Sequence, residues 1–190
     1  MKNVVLFIDI RNFAKSEFKF EMESVLDCIK AHLRENLDLP EKDFKLRFGK
    51  SYGSINYRED GQKPYELYNK GVETIYCPYY RSFGEDGEEK PKSIADPMLI
   101  CDAMEVLYES KDIDLFVIAT SDIDFLPLIR KITEKGKDVL VVGIEKQSKQ
   151  EFIPSCNAVG VHFIDYEEYI QGERYAVGYM RQKRLSKENG

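Results

Sequence analysis

The sequence predicts an α/β protein of three layers, α/β/α, built around a mostly parallel sheet. Three observations lead there. Short apolar runs rich in Val, Ile and Leu alternate with helical patterns along most of the 190 residues. Within the runs nearly every position is apolar, rather than every second one, as burial on both faces of a parallel sheet requires. Right-handed crossovers between such strands then set helices on both sides. The length suits one well-cored domain.

The first strand is Val4–Asp9, followed by a helical pattern over 21–36 and a second strand, Phe44–Tyr52. A short helix over 64–70 leads to a third strand, Val72–Cys77. Residues 79–93 break the rhythm. Gly84, Gly87 and the acids Glu85, Asp86, Glu88 and Glu89 predict a long, mobile polar connection at the carboxyl edge of the sheet. The helix over 95–109 opens on Asp96-Pro97, which reads as Asp at N-cap and Pro at N1. Leu115–Ala119 is the fourth strand. A helix over 124–135 carries Pro127 in its first turn, where a missing N–H costs little, and stops at Gly136. Val139–Gly143, a helix over 148–157 and Val161–Ile164 complete the alternation. The domain is expected over 1–170. Residues 171–190, with Arg181, Lys183, Arg184 and Lys187, are expected to be a helical or disordered tail.

Composition narrows the function classes. A hydrophobic content of 43% with 33% charged residues describes a soluble globular chain. No apolar run has the length of a membrane span, and Met1-Lys2-Asn3 before the first strand lacks a signal-peptide layout. No membrane association and a cytoplasmic location are expected. Cys28, Cys77, Cys101 and Cys156 form no CxxC, and there are two histidines. Scattered buried thiols, rather than a zinc site or disulfides, are expected. The formal charge of -6 argues against nonspecific coating of nucleic acid but leaves a nuclease open. Neither GxxxxGK[ST] nor GxGxxG occurs, so nucleotide-cofactor readings have no support. A haloacid-dehalogenase-type phosphatase needs an acid where Arg11 stands. A receiver domain needs an Asp where the third strand ends in Tyr76-Cys77-Pro78.

Four acids stand at turns that this topology points toward one edge. Asp9 ends the first strand, Asp96 opens a helix, and Asp122 and Asp124 sit on the turn after the fourth strand. Open α/β folds place ligand sites at such carboxyl ends. Each acid alone has a bland explanation, as a helix cap or an acceptor within its turn. Together, four carboxylates within ~6 Å would repel by roughly 3 kcal/mol per pair at an effective dielectric near 20. Such a cluster persists if protons or cations neutralise it. Oxygen-only ligands select hard ions, Mg²⁺ or Mn²⁺ before zinc. An ion held this way retains water, lowers its pKa and stabilises in-line displacement at a phosphate.

The segments Phe7-Ile8-Asp9-Ile10-Arg11-Asn12, Lys92-Ser93-Ile94-Ala95-Asp96 and Thr120-Ser121-Asp122-Ile123-Asp124-Phe125-Leu126-Pro127-Leu128 together resemble the NYN domain, a branch of the PIN-like nucleases. Gly136-Lys137-Asp138-Val139, Glu151-Phe152 and Phe163-Ile164-Asp165 look like its LabA-like subgroup. The resemblance spans about 3–168. It implies a PIN-like fold and a Mg²⁺- or Mn²⁺-dependent ribonuclease, with Asp9, Asp96, Asp122 and Asp124 as metal-binding acids. By the same resemblance Asn12 would orient water or phosphate, and cleavage would leave 5′-phosphate and 3′-hydroxyl ends. Asp102, about 120° around the helix from Asp96, and Thr120 would support the site from behind. Ile10, Ser93 and Ser121 stand where the family usually has glycine, which narrows the backbone's approach to a phosphate.

Arg11, Lys15, Arg81 and Lys92, with Ser121, are candidate substrate contacts, and Tyr79, Tyr80 and Phe83 lie near them. Cations for phosphates and rings for unstacked bases are what single-stranded RNA binding uses. Solvated cations and packed rings are the alternative. The sequence therefore reads as a metal-dependent ribonuclease acting on single-stranded RNA, and a homodimer is compatible with it. The competing reading is a non-catalytic RNA- or protein-binding regulatory module on the same fold.

Overall fold

The computed structural model describes residues 1–14, 16, 18, 20–36, 44–53, 63–83 and 88–172. Its frame is a six-stranded sheet formed by β1 (Lys2–Asp9), β2 (Phe44–Gly53), β3 (Val72–Tyr76), β6 (Leu115–Ala119), β7 (Asp138–Gly143) and β8 (His162–Asp165). The order is β3-β2-β1-β6-β7-β8, and every neighbouring pair runs parallel. The chain winds outward from β1 through β3, returns, and winds outward the other way from β6. The strand order therefore reverses between β1 and β6, and ligands bind outside the carboxyl ends of the strands at such a point.

Alternation along β1 divides the interior into two cores. Val4, Leu6 and Ile8 pack with Val25, Cys28, Ile29 and Leu33 of α2 (Met22–Asn36), and with Tyr166 and Ile170 of the helical stretch 166–172. Leu67 of α3 (Pro64–Asn69) joins this side. Val5 and Phe7 pack on the opposite face with Leu99, Ala103 and Leu107 of α4 (Ala95–Glu109). Leu128, Ile129 and Ile132 of α5 (Leu126–Glu134), and Phe152 and Cys156 of α6 (Phe152–Ala158), share that second core. The predicted three-layer arrangement is the one observed. No helix among the described residues is long and apolar enough to cross a membrane.

Several local expectations are corrected. Part of the segment 79–93 is an antiparallel pair, β4 (Tyr79–Phe83) with β5 (Glu89–Ser93), rather than a mobile connection. The Asp9-Ile10-Arg11-Asn12 turn continues into a short helix, α1 (Ile10–Phe13). Asp96 is not an N-cap: Ile94 holds that position, and the Ala95 N–H is satisfied by Ser93 Oγ at 3.1 Å. The helix expected over 124–135 begins with a 3-10 turn at Ile123–Phe125, and the one over 148–157 starts only at Phe152. Of the thiols, Cys28, Cys77 and Cys156 are buried and Cys101 is exposed. Helical residues run through 172, past the expected boundary at 170, and the rest of the predicted tail lies outside the described residues.

Glycine is required at the end of β7. A Cβ on Gly143 would lie 2.4 Å from the Thr120 carbonyl oxygen and 2.8 Å from the Phe163 ring. The backbone of β6 at Thr120 can retreat only by moving the turn that carries Asp122. Gly143→Ala is therefore expected to destabilise the fold by about 1–3 kcal/mol through overpacking, read as a lower thermal midpoint.

Candidate active site

Asp9 is 4% exposed and stands at the N-cap of α1 without a side-chain capping bond. Three residues on, Asn12 folds back over it. Its Nδ2 donates to Asp9 Oδ2, and its Oδ1 accepts the Ser121 N–H at 3.1 Å. One amide thus bridges the carboxyl ends of β1 and β6. Both ends of the Asn12 amide have protein partners, so it positions the acid rather than reaching outward alone.

The turn after β6 is held in the same manner. Thr120 Oγ1 accepts the Asp122 N–H at 3.2 Å, and Asp122 Oδ1 accepts the Asp124 N–H at 3.0 Å. Asp122 therefore does cap the 3-10 turn, yet one of its oxygens remains outside that bond. Ser121 does not point at substrate space: it is buried, and its Oγ accepts the Ile144 N–H at 2.7 Å, tying β6 to the end of β7. Asp102 accepts from Lys50 Nζ and from Tyr52 Oη, both at 2.7 Å, fastening α4 to β2. Burial opposes its ionisation, but the two donors outweigh it and hold the carboxyl below its ordinary range.

Asp9, Asp96 and Asp122 line one open cleft of about 510 Å³. Arg11, Asn12, Lys92 and Ser93 share it, as does Gln147 from the 3-10 turn Glu145–Gln147 after β7. Sequence reasoning missed Gln147, although the end of β7 abuts the same edge. Asp124 is exposed and not part of the lining, but its charge acts on Asp96. Arg81 is exposed on β4 and also outside the lining. The Arg11 guanidinium lies 5.0 Å from the centre of the Tyr79 ring, within cation–π range. Lys15 and the Phe83 side chain fall outside the described residues.

The acids sense one another. Burial pushes Asp9 up to about 7, and the charges of Asp96 and Asp122 add to the rise, while Asn12 and Arg11 oppose it. Asp96 is raised by burial, then by Asp122 and Asp124, against Arg11 and Lys92. Oxygen-only donors whose mutual repulsion is only partly compensated suit a hard divalent cation. Among the described residues no three His, Cys, Asp or Glu side chains close into a ligand set. Water would complete the shell, as is usual for Mg²⁺.

Residues 3–167 match the NYN domain. The chain belongs to the NYN domain family. It thereby carries a PIN-like nuclease fold, in a superfamily whose nucleases are typically divalent-metal dependent. The uncharacterized protein MJ0482 of Methanocaldococcus jannaschii is 44% identical over 50 residues, 26% of this chain and 20% of that protein. The match thus spans about a fifth of that curated relative's length. A crystal structure of VPA0982 from Vibrio parahaemolyticus, a protein of unknown function, superposes with a TM-score of 0.61 at 20% identity. It covers 86% of this chain and 92% of that one, and shows the same fold.

The raised Asp9 pKa of this NYN domain fixes a pH dependence. Between 3.8, its ordinary value, and about 7, the folded protein keeps a proton that the unfolded chain releases. Stability must therefore fall as pH rises through that window and level off above it. In chelator, Asp9→Asn is expected to flatten this slope and to be the more stable form at neutral pH, by roughly 2–4 kcal/mol. Denaturant unfolding at a series of pH values checks both expectations.

Proposed function

We propose that this NYN domain hydrolyses RNA phosphodiester bonds with the help of Mg²⁺ or Mn²⁺, on single-stranded RNA in the cytoplasm. One observation carries the reading. Three acids from separate elements, Asp9 of β1, Asp96 of α4 and Asp122 after β6, line a single cleft with Arg11 and Lys92 beside them, where the strand order reverses.

Asp9, Asp96 and Asp122 would hold the ion, with Asp124 adding negative charge alongside. When bound, the ion would supply Lewis-acid stabilisation at the phosphate and a more acidic water. The chain's own residues supply the rest. Asn12 keeps Asp9 aimed into the cleft, and Thr120 fixes the turn that presents Asp122. Arg11 and Lys92 receive the phosphate oxygens. Tyr79, 41% exposed and flanked by Arg11, offers its ring to an unstacked base. Tyr80 and Arg81, both exposed on β4, extend that path along the hairpin. Asp102 and Ser121 contribute by holding α4 and β7 in register with the cleft.

Purified protein with single-stranded RNA and Mn²⁺ is expected to cleave it, and Asp122→Asn or Asp96→Asn to fall to background with unchanged circular dichroism. Equal cleavage by parent and variants would sink the catalytic reading. Retardation of RNA without cutting would instead support the non-catalytic binding module. Tyr79→Ala should weaken RNA binding by roughly 1–3 kcal/mol, the usual worth of one base–aromatic stack, and appear in KM with kcat little changed.

A further inference from the structure

A second group of chemistry-bearing side chains lies at the opposite, amino edge of the sheet. His32 of α2 and His162 of β8, the two histidines of the whole chain, are 130 residues apart and face each other, Nδ1 to Nδ1, at 3.3 Å. Their ring centres are 5.4 Å apart, so the nitrogens lie close to the line joining the rings. Both rings line an open pocket of about 480 Å³ with Lys137 and Asp138, at the amino ends of β7 and β8. The NYN acids lie at the carboxyl ends, across the full length of the strands.

We propose that His32 and His162 bind a borderline divalent transition-metal ion, Zn²⁺ foremost, at this amino edge. The separation is the main argument. With Zn–N bonds of about 2.0–2.1 Å and a tetrahedral angle near ~109°, two ligand nitrogens stand about 3.3–3.4 Å apart. The same 3.3 Å also admits a hydrogen bond with one Nδ1 donating to the other, so in the absence of metal the two rings hold each other at the spacing an ion needs.

The surroundings agree. His32 is 5% exposed, and burial followed by the neighbouring His162 lowers its pKa to about 4, against an opposing pull from Asp138. At neutral pH it is an uncharged imidazole, the form that metals bind once its one ring proton sits on Nε2. Asp138 brings negative charge to the pocket while its Oδ2 accepts from Lys2 Nζ at 2.7 Å. Lys137 is turned away, with Nζ donating to the carbonyls of Lys111 and Ile113 at 3.0 and 2.6 Å. The pocket leaves room for water to fill the remaining coordination positions. Imidazole pairs favour Zn²⁺, Cu²⁺ or Ni²⁺ over Mg²⁺, so this site and the acid cleft select different ions. A bound ion would pin α2 to β8.

Zn²⁺ titration of the full chain in excess Mg²⁺ tests the proposal, by calorimetry and by NMR of the two histidine rings. One equivalent is expected to bind, to shift both sets of ring signals and to raise the thermal midpoint. H162Q, which alters the more exposed ring, should lose all three effects, and D122N in the acid cleft should keep them. Unmoved ring signals in the parent protein, or undiminished binding in H162Q, would overturn the site and leave the pair as a hydrogen bond alone. None of these outcomes depends on whether the chain cleaves RNA.

Discussion

Asp9 has to be held almost wholly out of water at the floor of an open cleft, beside two other carboxylates that disfavour its charge. The arrangement around β1 and β6 follows from how that is done. A buried carboxyl needs hydrogen-bonding partners, and Asn12 supplies one from the first turn after the strand. The same amide then needs its own oxygen satisfied, and finds the Ser121 N–H on the neighbouring strand's exit. Ser121 in turn passes the constraint to β7 through Ile144. Three parallel strands thus have their carboxyl ends indexed to one another by side chains, beyond the ladder itself. The position of the acids becomes a property of the sheet rather than of mobile loops, which is what a site preorganised for charge demands.

The balance of charge across the molecule follows the same division. At the carboxyl edge, Arg11 and Lys92 partly offset Asp9 and Asp96 without cancelling them, and both carboxyls stay raised. Asp102, about one and two-thirds turns along α4, is by contrast answered by Lys50 and Tyr52. Two acids of one helix therefore meet opposite fates. One is paired and structural, and the other is left in a cluster relieved only in part. The chain's modest negative charge hides this contrast, because only the local arrangement distinguishes an answered carboxylate from an unanswered one.

Much of the fold was legible because its central parallel strands, β1, β6 and β7, announce themselves chemically. Val4–Ile8 or Leu115–Ala119 can hardly be anything but fully buried strands, and strand-to-helix alternation leaves few topologies. The β4–β5 hairpin was illegible for the converse reason. Arg81 and Ser82, paired with Pro91 and Lys90, have no apolar face to betray a strand. The acids could be named from sequence, but not which of them cap. Asp122 caps and Asp96 does not, since Ser93 took that task one turn earlier. Gln147 and the His32–His162 pair were invisible because their meaning arises from distant segments meeting, and neither carries a local motif.

The three positions where the family usually has glycine can now be separated. Ile10 is fully buried in the α2-side core, and the Ser121 hydroxyl is spent on Ile144, so neither side chain occupies the cleft. Their added atoms enter the protein interior instead, Ile10 as packing and Ser121 as a tie to β7. Ser93 alone lines the cleft. Its hydroxyl is drawn toward the Ala95 N–H at the start of α4, which turns the oxygen toward the helix backbone. A glycine there would leave that N–H to another partner, whereas serine satisfies it at the cost of a few atoms at the rim. The departures thus trade backbone freedom for fixed strand ends, and the space beside the acids is conceded at one residue rather than three.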